Sequence, residues 1–365
     1  MGIGPNEKVR IGIIGCGGIA NGKHMPSLSK LKNIEMVAFC DIIEERAIRA
    51  KEKYGTPDAT VCTDYKELLA DKTIDVVHVL TPNRWHSSIT VDALEAGKHV
   101  MCEKPMAINS VEAKKMVDAA KRTGKKLTIG YQTRQRADSL YLKQEVENGT
   151  LGEIYYAKAT ALRRRAVPTW GVFLDEYAQG GGPLIDIGTH ALDLTLWMMN
   201  NYKPKYCVGT TYKKLNTKDN QGNDWGSWDC DKYTVEDSAF GFVVMENGAT
   251  INLESSWAIN MLDTREAVTT LCGTLGGADM NDGLRFNGIR NDRKYTLKPD
   301  LSSGGAAFYE GNKNESMADR EARLWIDAVV NDKDPVVLPE QALVVTQILE
   351  GIYTSAKTGE IYRFD

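Results

Sequence analysis

The chain has 365 residues, enough for two cores rather than one. Its 42% hydrophobic and 26% charged residues give a globular balance, and a net charge of −4 leaves no broad basic surface for nucleic acid. No apolar run reaches the ~18 residues of a bilayer span, and Met1–Lys8 has no leader pattern, so a cytoplasmic protein without a membrane partner is expected.

Val9–Ile14 reads as a buried parallel strand. It opens into Gly15-Cys16-Gly17-Gly18-Ile19-Ala20. In such a Gly-x-Gly-x-x-Ala turn the first glycine permits the tight bend and the second lets backbone approach a pyrophosphate. The small third residue lets the next helix pack closely, with its N–H groups toward the anion. A second strand, Met36–Cys40, ends at Asp41, 21 residues past Ala20, where an acid binds the adenosine ribose hydroxyls. Asp41 repels a 2′-phosphate and is followed by Ile42 and Ile43, which favours NAD over NADP, although Arg46 stands a turn further on.

The alternation continues through helix Glu44–Tyr54, a short helix from Tyr65, strand Val76–Leu80 and helix His86–Ala96. Strand His99–Cys102, helix Ser110–Thr123 and strand Lys126–Gly130 follow. This is a doubly wound parallel α/β sheet, whose ligands bind beyond the carboxyl ends of the strands. Besides the glycine turn, Thr81-Pro82-Asn83 with His86, and Glu103-Lys104-Pro105, lie at that edge and join the cofactor-binding candidates. His86 has no acid adjacent in sequence and by itself reads as structural, as does His24. Pro105 holds the Lys104 backbone in an extended or turn conformation. There Lys104 reads either as a solvated surface lysine or as a charge that lowers the pKa of a nearby base or stabilises an alkoxide.

From Gly130 the pattern changes to an α+β one. Helix Ala137–Glu147 precedes strands Ile154–Ala159, Tyr206–Tyr212 and Val268–Cys272. Thr234–Met245 and Ala249–Ile259 form a hairpin through Glu246-Asn247-Gly248. Leu215–Lys232 is an insertion loop, and helices Glu315–Asn331 and Glu340–Ala356 close the chain. The division expected is 1–130 for the dinucleotide-binding domain and 131–365 for the second. The seven cysteines contain no Cys-x-x-Cys pair, so neither a disulfide framework nor a zinc site is expected.

Within the second domain, three glycines and Pro183 open a largely apolar helix. Asp186, His190 and Asp193 fall within roughly a 60° arc of it. A buried carboxylate and imidazole one turn apart are either a self-satisfying pair or an acid/base site. Gly188 costs about 1 kcal/mol in mid-helix relative to alanine, which suggests close approach of the nicotinamide or the substrate. Asp186 and His190 have no evident third ligand, so no metal is expected. Tyr131, Gln132, Arg134, Tyr155, Tyr156, Arg163, Arg164 and Trp170 supply rings and polar groups of the kind that hold sugars. Trp170 and Arg164 lead that set, with Tyr131 and Gln132 beside them.

In this order and spacing, Gly15-x-Gly17-x-x-Ala20, Glu103-Lys104-Pro105 and Gly180-Gly-Gly-x-x-x-Asp186-x-Gly-x-His190-x-x-Asp193 resemble the Gfo/Idh/MocA oxidoreductases over nearly the whole chain. The resemblance implies that Lys104, Asp186 and His190 are catalytic and that Glu103 lies near the nicotinamide ribose. It also implies a cis Lys104–Pro105 peptide in many members, and an open, mainly antiparallel second sheet often used for homo-oligomer contacts. The segment Arg163–Gly171 resembles a bacterial subgroup acting on sugars and glycosides, some of whose members oxidise the C3 hydroxyl of a glucosyl unit. Redox-assisted glycoside cleavage, inositol oxidation and a cofactor-sensing regulator are the rival functions.

Overall fold

The computed structural model describes residues 8–218, 222–301 and 315–364; the reading of the first seven residues therefore lies outside it. The described residues fall in two compact units, one drawn from Met1–Gln132 and Asn314–Leu343, the other from Thr133–Lys313 and Val344–Asp365.

The first unit is built on six strands: β1 (Val9–Ile14), β2 (Ile34–Cys40), β3 (Thr60–Cys62), β4 (Val76–Val79), β5 (His99–Cys102) and β6 (Leu127–Ile129). They pair in parallel in the order β3-β2-β1-β4-β5-β6, a doubly wound Rossmann sheet. Val9, Ile11, Ile13 and Phe39 are wholly buried, as continuous apolar strands between two helical layers must be. The three-residue edge strand β3 has no counterpart in the sequence reading, because Thr60-Val61-Cys62 is too short to carry a periodic signal. Helix Met317–Val330 also belongs to this unit, although the expected division placed it in the second. Its Ala322, Trp325, Ile326 and Val329 join the same core as Val9, Ile11 and Phe39. Amphipathic spacing shows that a helix has an apolar face; it does not show which core receives it.

The second unit holds nine strands: β7 (Ile154–Leu162), β8 (Pro204–Tyr212), β9 (Ser238–Met245), β10 (Thr250–Ser256), β11 (Val268–Gly273), β12 (Gly276–Asp279), β13 (Arg285–Arg290), β14 (Arg293–Leu297) and β15 (Tyr362–Arg363). Their order is β14-β13-β12-β11-β7-β10-β9-β8-β15. Only β7 and β10 pair in parallel; every other pairing is antiparallel. The outer strands β12–β14 lack the alternation that marks β9 and β10: β12 is short with two glycines, and β13 and β14 are largely exposed. Helix Thr189–Met199 is buried along all but its last turn. No helix among the described residues is long and apolar enough to cross a membrane. Among them too, no group of three or more His, Cys, Asp or Glu side chains is arranged to hold a metal ion.

Candidate active site

In the first unit, the carboxyl ends of β1, β2, β4 and β5 carry the cofactor-binding candidates. Gly15 has φ +92° and lies so close to β4's end that a Cβ would sit 2.6 Å from the Leu80 carbonyl oxygen. No L side chain fits there. Gly17 and Gly18 face open space instead, with no atom within 4 Å of an added Cβ. Ile19 is 41% exposed beside them, and Ala20 begins a five-residue π-turn, Ala20–His24, before helix Met25–Leu28. Such turns concentrate at functional sites. Asp41 is buried, and its two carboxylate oxygens accept from the backbone N–H groups of Cys16 (2.8 Å) and Ile43 (2.9 Å). A glycine cradle with a carboxylate fixed at its rim fits a dinucleotide, which residues 15–20 and Asp41 could hold.

Beyond β4, Thr81 and Pro82 lead to the buried Asn83, which opens a short 3-10 turn. His86 fastens this loop to the next: Nδ1 lies 2.7 Å from the Pro105 carbonyl oxygen and Nε2 2.8 Å from that of Thr81. Burial lowers the imidazole's pKa against the pull of these two carbonyls, so the neutral ring, with one N–H, donates to one of them and lies beside the other. His86 therefore acts as a fastener of the cofactor edge. The Lys104–Pro105 peptide is cis.

Glu103 is the hub of an ionic network that no sequence pattern announces. Its Oε1 accepts from Lys23 Nζ at 2.8 Å and lies 2.7 Å from His24 Nε2, while Oε2 accepts from the Lys104 backbone N–H at 3.0 Å. Lys23 also meets Glu321 at 2.8 Å, and His24 Nδ1 stands 3.2 Å from His78 Nδ1. Burial alone would raise the Glu103 pKa, but Lys23 and His24 outweigh it and hold the carboxyl well below its usual range. The buried ring of His78 is driven the other way, far below an ordinary histidine, so it is neutral. The network fixes the residue preceding Lys104 by charge rather than by packing.

In the second unit, the expected continuous helix from Pro183 begins differently. Leu184–Gly188 forms a π-turn, and the α-helix proper starts at Thr189. Its entry is set by distant groups. Glu236 accepts from the N–H groups of Gly182 (2.9 Å) and Leu184 (3.2 Å) and from the Tyr353 hydroxyl (2.7 Å), while the Ser255 hydroxyl donates to the Pro183 carbonyl at 2.7 Å. The glycines answer to the same neighbours: a Cβ on Gly181 would strike the Tyr353 hydroxyl, and one on Gly182 the Glu236 carbonyl. At Gly188 a Cβ would meet Ser255 Oγ at 3.0 Å, so β10, rather than nicotinamide or substrate, is what approaches that backbone.

The three polar residues of this helix have different surroundings. Asp193 is 0% exposed and accepts from Arg134 Nε and Nη2 at 2.9 and 2.6 Å, a bidentate pair sealed in the core. Asp186 accepts from Trp257 Nε1 at 3.0 Å. Among the side chains from Leu184 to Leu196, Asp186 at 8% and His190 at 9% are the most exposed. The other side chains of this run do not exceed 3%. Trp257, one residue past β10, is the site residue the sequence reading missed; an indole 71 positions from its acceptor leaves no local signal.

Of the sugar-binding candidates, Tyr131 is buried and Gln132 half buried. Arg134 is committed to Asp193, and the Tyr156 hydroxyl accepts from Asn252 at 2.9 Å. Arg163 forms a two-point pair with Glu266, both contacts at 2.6 Å. Burial would lower its pKa, but Glu266 and the charge of Asp186 raise it, so it stays cationic. Arg164 and Trp170 are exposed, Trp170 by 52%.

Residues 9–131 match the oxidoreductase family with an NAD-binding Rossmann fold, and residues 139–279 match the GFO/IDH/MocA C-terminal domain. The chain is 35% identical to D-glucoside 3-dehydrogenase of Escherichia coli over 97% of both chains. It is 32% identical to myo-inositol 2-dehydrogenase of Thermotoga maritima over 52% of this chain and 55% of the relative. Aldose-aldose oxidoreductase from Caulobacter crescentus superimposes with a TM-score of 0.78 at 22% identity, covering 98% of this chain and 100% of that one, and shares the fold. The chain belongs to the Gfo/Idh/MocA family of oxidoreductases and is an NAD-binding enzyme.

Proposed function

We propose that the enzyme is an NAD-dependent dehydrogenase of glycosides that oxidises the C3 hydroxyl of a glucosyl unit to a ketone. The observation that carries this reading is the full-length kinship with a D-glucoside 3-dehydrogenase. The setting of Asp186 and His190 supports it, since they are the two side chains through which an otherwise sealed helix reaches its surroundings. His190 takes the hydroxyl proton as general base, a role worth on the order of 10²–10⁴-fold in rate. Asp186, steadied by Trp257, orients the hydroxyl or its neighbour. Lys104, held at the end of β5 by the Glu103 network, supplies positive charge toward the developing oxyanion. NAD, which residues 15–20 and Asp41 would hold, would supply the hydride acceptor for the carbinol carbon when bound. NAD is preferred to NADP because Asp41 is followed by Ile42, 89% exposed, where a 2′-phosphate would need a cation.

The test is steady-state formation of reduced cofactor from methyl glucoside, with the product identified by mass spectrometry. A 3-keto glycoside is expected, and His190→Ala should lower kcat at least ~10²-fold while leaving cofactor affinity nearly unchanged. Unaltered turnover in that variant, or release of the aglycone without a keto product, would overturn the proposal.

A further inference from the structure

The described residues between β8 and β9 are held by a set of polar contacts. Asp237 Oδ2 accepts from three successive backbone N–H groups, those of Lys214 (2.6 Å), Leu215 (2.7 Å) and Asn216 (3.2 Å). Trp228 donates to the Asn216 carbonyl at 3.1 Å from a buried position. Further along, Asn223 accepts from the Val167 N–H at 2.7 Å and donates to the carbonyls of Val167 (3.0 Å) and Gly226 (2.8 Å). The Asp224 N–H donates to the Arg165 carbonyl at 3.0 Å, and the Thr169 hydroxyl donates to the Trp225 carbonyl at 2.6 Å. This stitching fixes the segment 223–226 to the strand exit 165–169.

What it fixes in place is an indole left 41% exposed, that of Trp225. Trp225 stands edge to face with Trp170, itself 52% exposed, with ring centroids 5.0 Å apart. The Arg163 guanidinium lies over the Trp225 ring at 5.1 Å while Glu266 grips it on two points. The two indoles do not stand alone. Trp170 contacts Phe173 at 5.9 Å, Phe173 contacts Trp257 at 6.5 Å, and Trp257 donates to Asp186. A continuous aromatic path thus runs from the acid/base helix to a pair of exposed, immobilised rings. Leaving two large aromatic side chains this exposed forgoes burial energy, and the hydrogen bonds of the segment hold them there nonetheless. Rigid aromatic faces of this kind bind flat ring surfaces at little entropic cost.

Resting on the proposed oxidation of a glucosyl ring at Asp186 and His190, we propose that Trp170 and Trp225 form a second subsite for the aglycone of the glycoside. They would take a ring with an apolar face, either a second pyranose or an aryl group. The substrate class is therefore a two-ring glycoside rather than a free hexose, and Trp225 is its specificity-determining residue. An aromatic contact contributes enough for roughly a 3- to 10-fold effect on affinity.

The experiment compares the wild-type holoenzyme with Trp225→Ala and Trp225→Phe on three probes: methyl β-D-glucoside, cellobiose and 4-nitrophenyl β-D-glucoside. Trp225→Ala should raise KM for one or both two-ring probes by about 3- to 10-fold with kcat little changed. KM for the methyl glucoside should stay within about two-fold, which also certifies that the variant is folded. Trp225→Phe should restore most of the loss. A rise confined to cellobiose identifies a sugar aglycone, and one confined to the nitrophenyl probe an aryl aglycone. Calorimetric titration of the same probes into the NADH-loaded proteins reads the subsite without turnover. If the wild type oxidises none of them but binds two-ring probes more tightly in a Trp225-dependent way, the subsite stands and the proposed reaction falls. Equal changes for one-ring and two-ring probes, or none, overturn the subsite.

Discussion

Replacing Arg134 by methionine decides whether Asp193 belongs to the chemistry or to the core. Both side chains are 0% exposed, and the guanidinium meets Asp193 at 2.9 and 2.6 Å and the Tyr202 hydroxyl at 3.4 Å while lying 5.4 Å from the centroid of the Trp197 ring. Truncation leaves a carboxylate sealed from water without its counter-charge, and breaking a buried pair on one side costs about 3–5 kcal/mol. Loss of the desolvated contact with Trp197 adds about 1–2 kcal/mol. Arg134→Met should therefore lower unfolding free energy by about 4–7 kcal/mol, summing those two contributions. Asp193→Leu strands the guanidinium instead and should cost about 3–5 kcal/mol. Arg134→Met/Asp193→Leu removes both charges together, and replacing a buried pair by apolar groups is often close to neutral, so the double variant should be more stable than either single one. Equilibrium urea denaturation, followed by tryptophan fluorescence and far-ultraviolet circular dichroism, measures all three. The double variant should also keep kcat within a few-fold of wild type, because neither group is placed to reach substrate. The reasoning fails if Arg134→Met costs under about 1 kcal/mol, if the single effects simply add, or if a stable double variant loses kcat by ~10²-fold or more.

Three further outcomes are expected. His99 has its pKa depressed to about 4, chiefly by burial with Lys125 and Lys126 adding repulsion. The unfolded chain then binds more protons between pH 6.5 and about 4, so stability attributable to His99 is intact above pH 6.5 and falls as pH drops through that window, by on the order of 3 kcal/mol in full. His99→Asn, which can still accept from the Lys126 N–H, should flatten the melting-temperature profile between pH 7 and pH 4.5, and an unchanged slope would remove His99 as the cause. Asp41→Asn with Ile42→Arg should shift the NADP-to-NAD ratio of kcat/KM by ~10²-fold, since a charge-assisted hydrogen bond replaces a repulsion; a constant ratio would mean that Asp41 does not set cofactor choice. Lys23→Met should destabilise the protein by about 3–5 kcal/mol by leaving Glu103 and Glu321 buried without their shared cation. Adding Glu321→Gln should recover part of that loss in thermal denaturation, and failure to recover would show that the charge is not the cause.

The features legible in the sequence are those that neighbouring residues determine. A strand buried on both faces must be apolar throughout, so β1 and β2 announce themselves, and the glycine turn and Asp41 follow from their position at strand ends. The hairpin of β9 and β10 is equally local, set by alternation and by Glu246-Asn247-Gly248. Features fixed by partners far along the chain left no such trace. The π-turn at Leu184–Gly188 depends on Glu236, Ser255 and Tyr353. The allegiance of helix Met317–Val330 to the first core depends on residues some 300 positions earlier, and Lys23 has no meaning in the sequence until Glu103 and Glu321 are brought against it.

The helix of Asp186, His190 and Asp193 shows why a face read from periodicity is not yet a site. Periodicity placed all three residues together, yet partners divide them. Asp193 meets a guanidinium of opposite charge and is shut from solvent, so its charge is neutralised where it stands and nothing is left for it to do beyond holding Arg134. Asp186 meets an indole N–H, a neutral donor that orients a carboxylate without cancelling its charge, and it keeps a margin of exposure that it shares with His190. Arg163 carries a compensating charge near Asp186 while its own hydrogen bonds go to Glu266 and the Ala166 carbonyl, so the acid is electrostatically supported without being paired to it. Spacing along a helix therefore nominates acids and bases, and the charge of the partner selects among them.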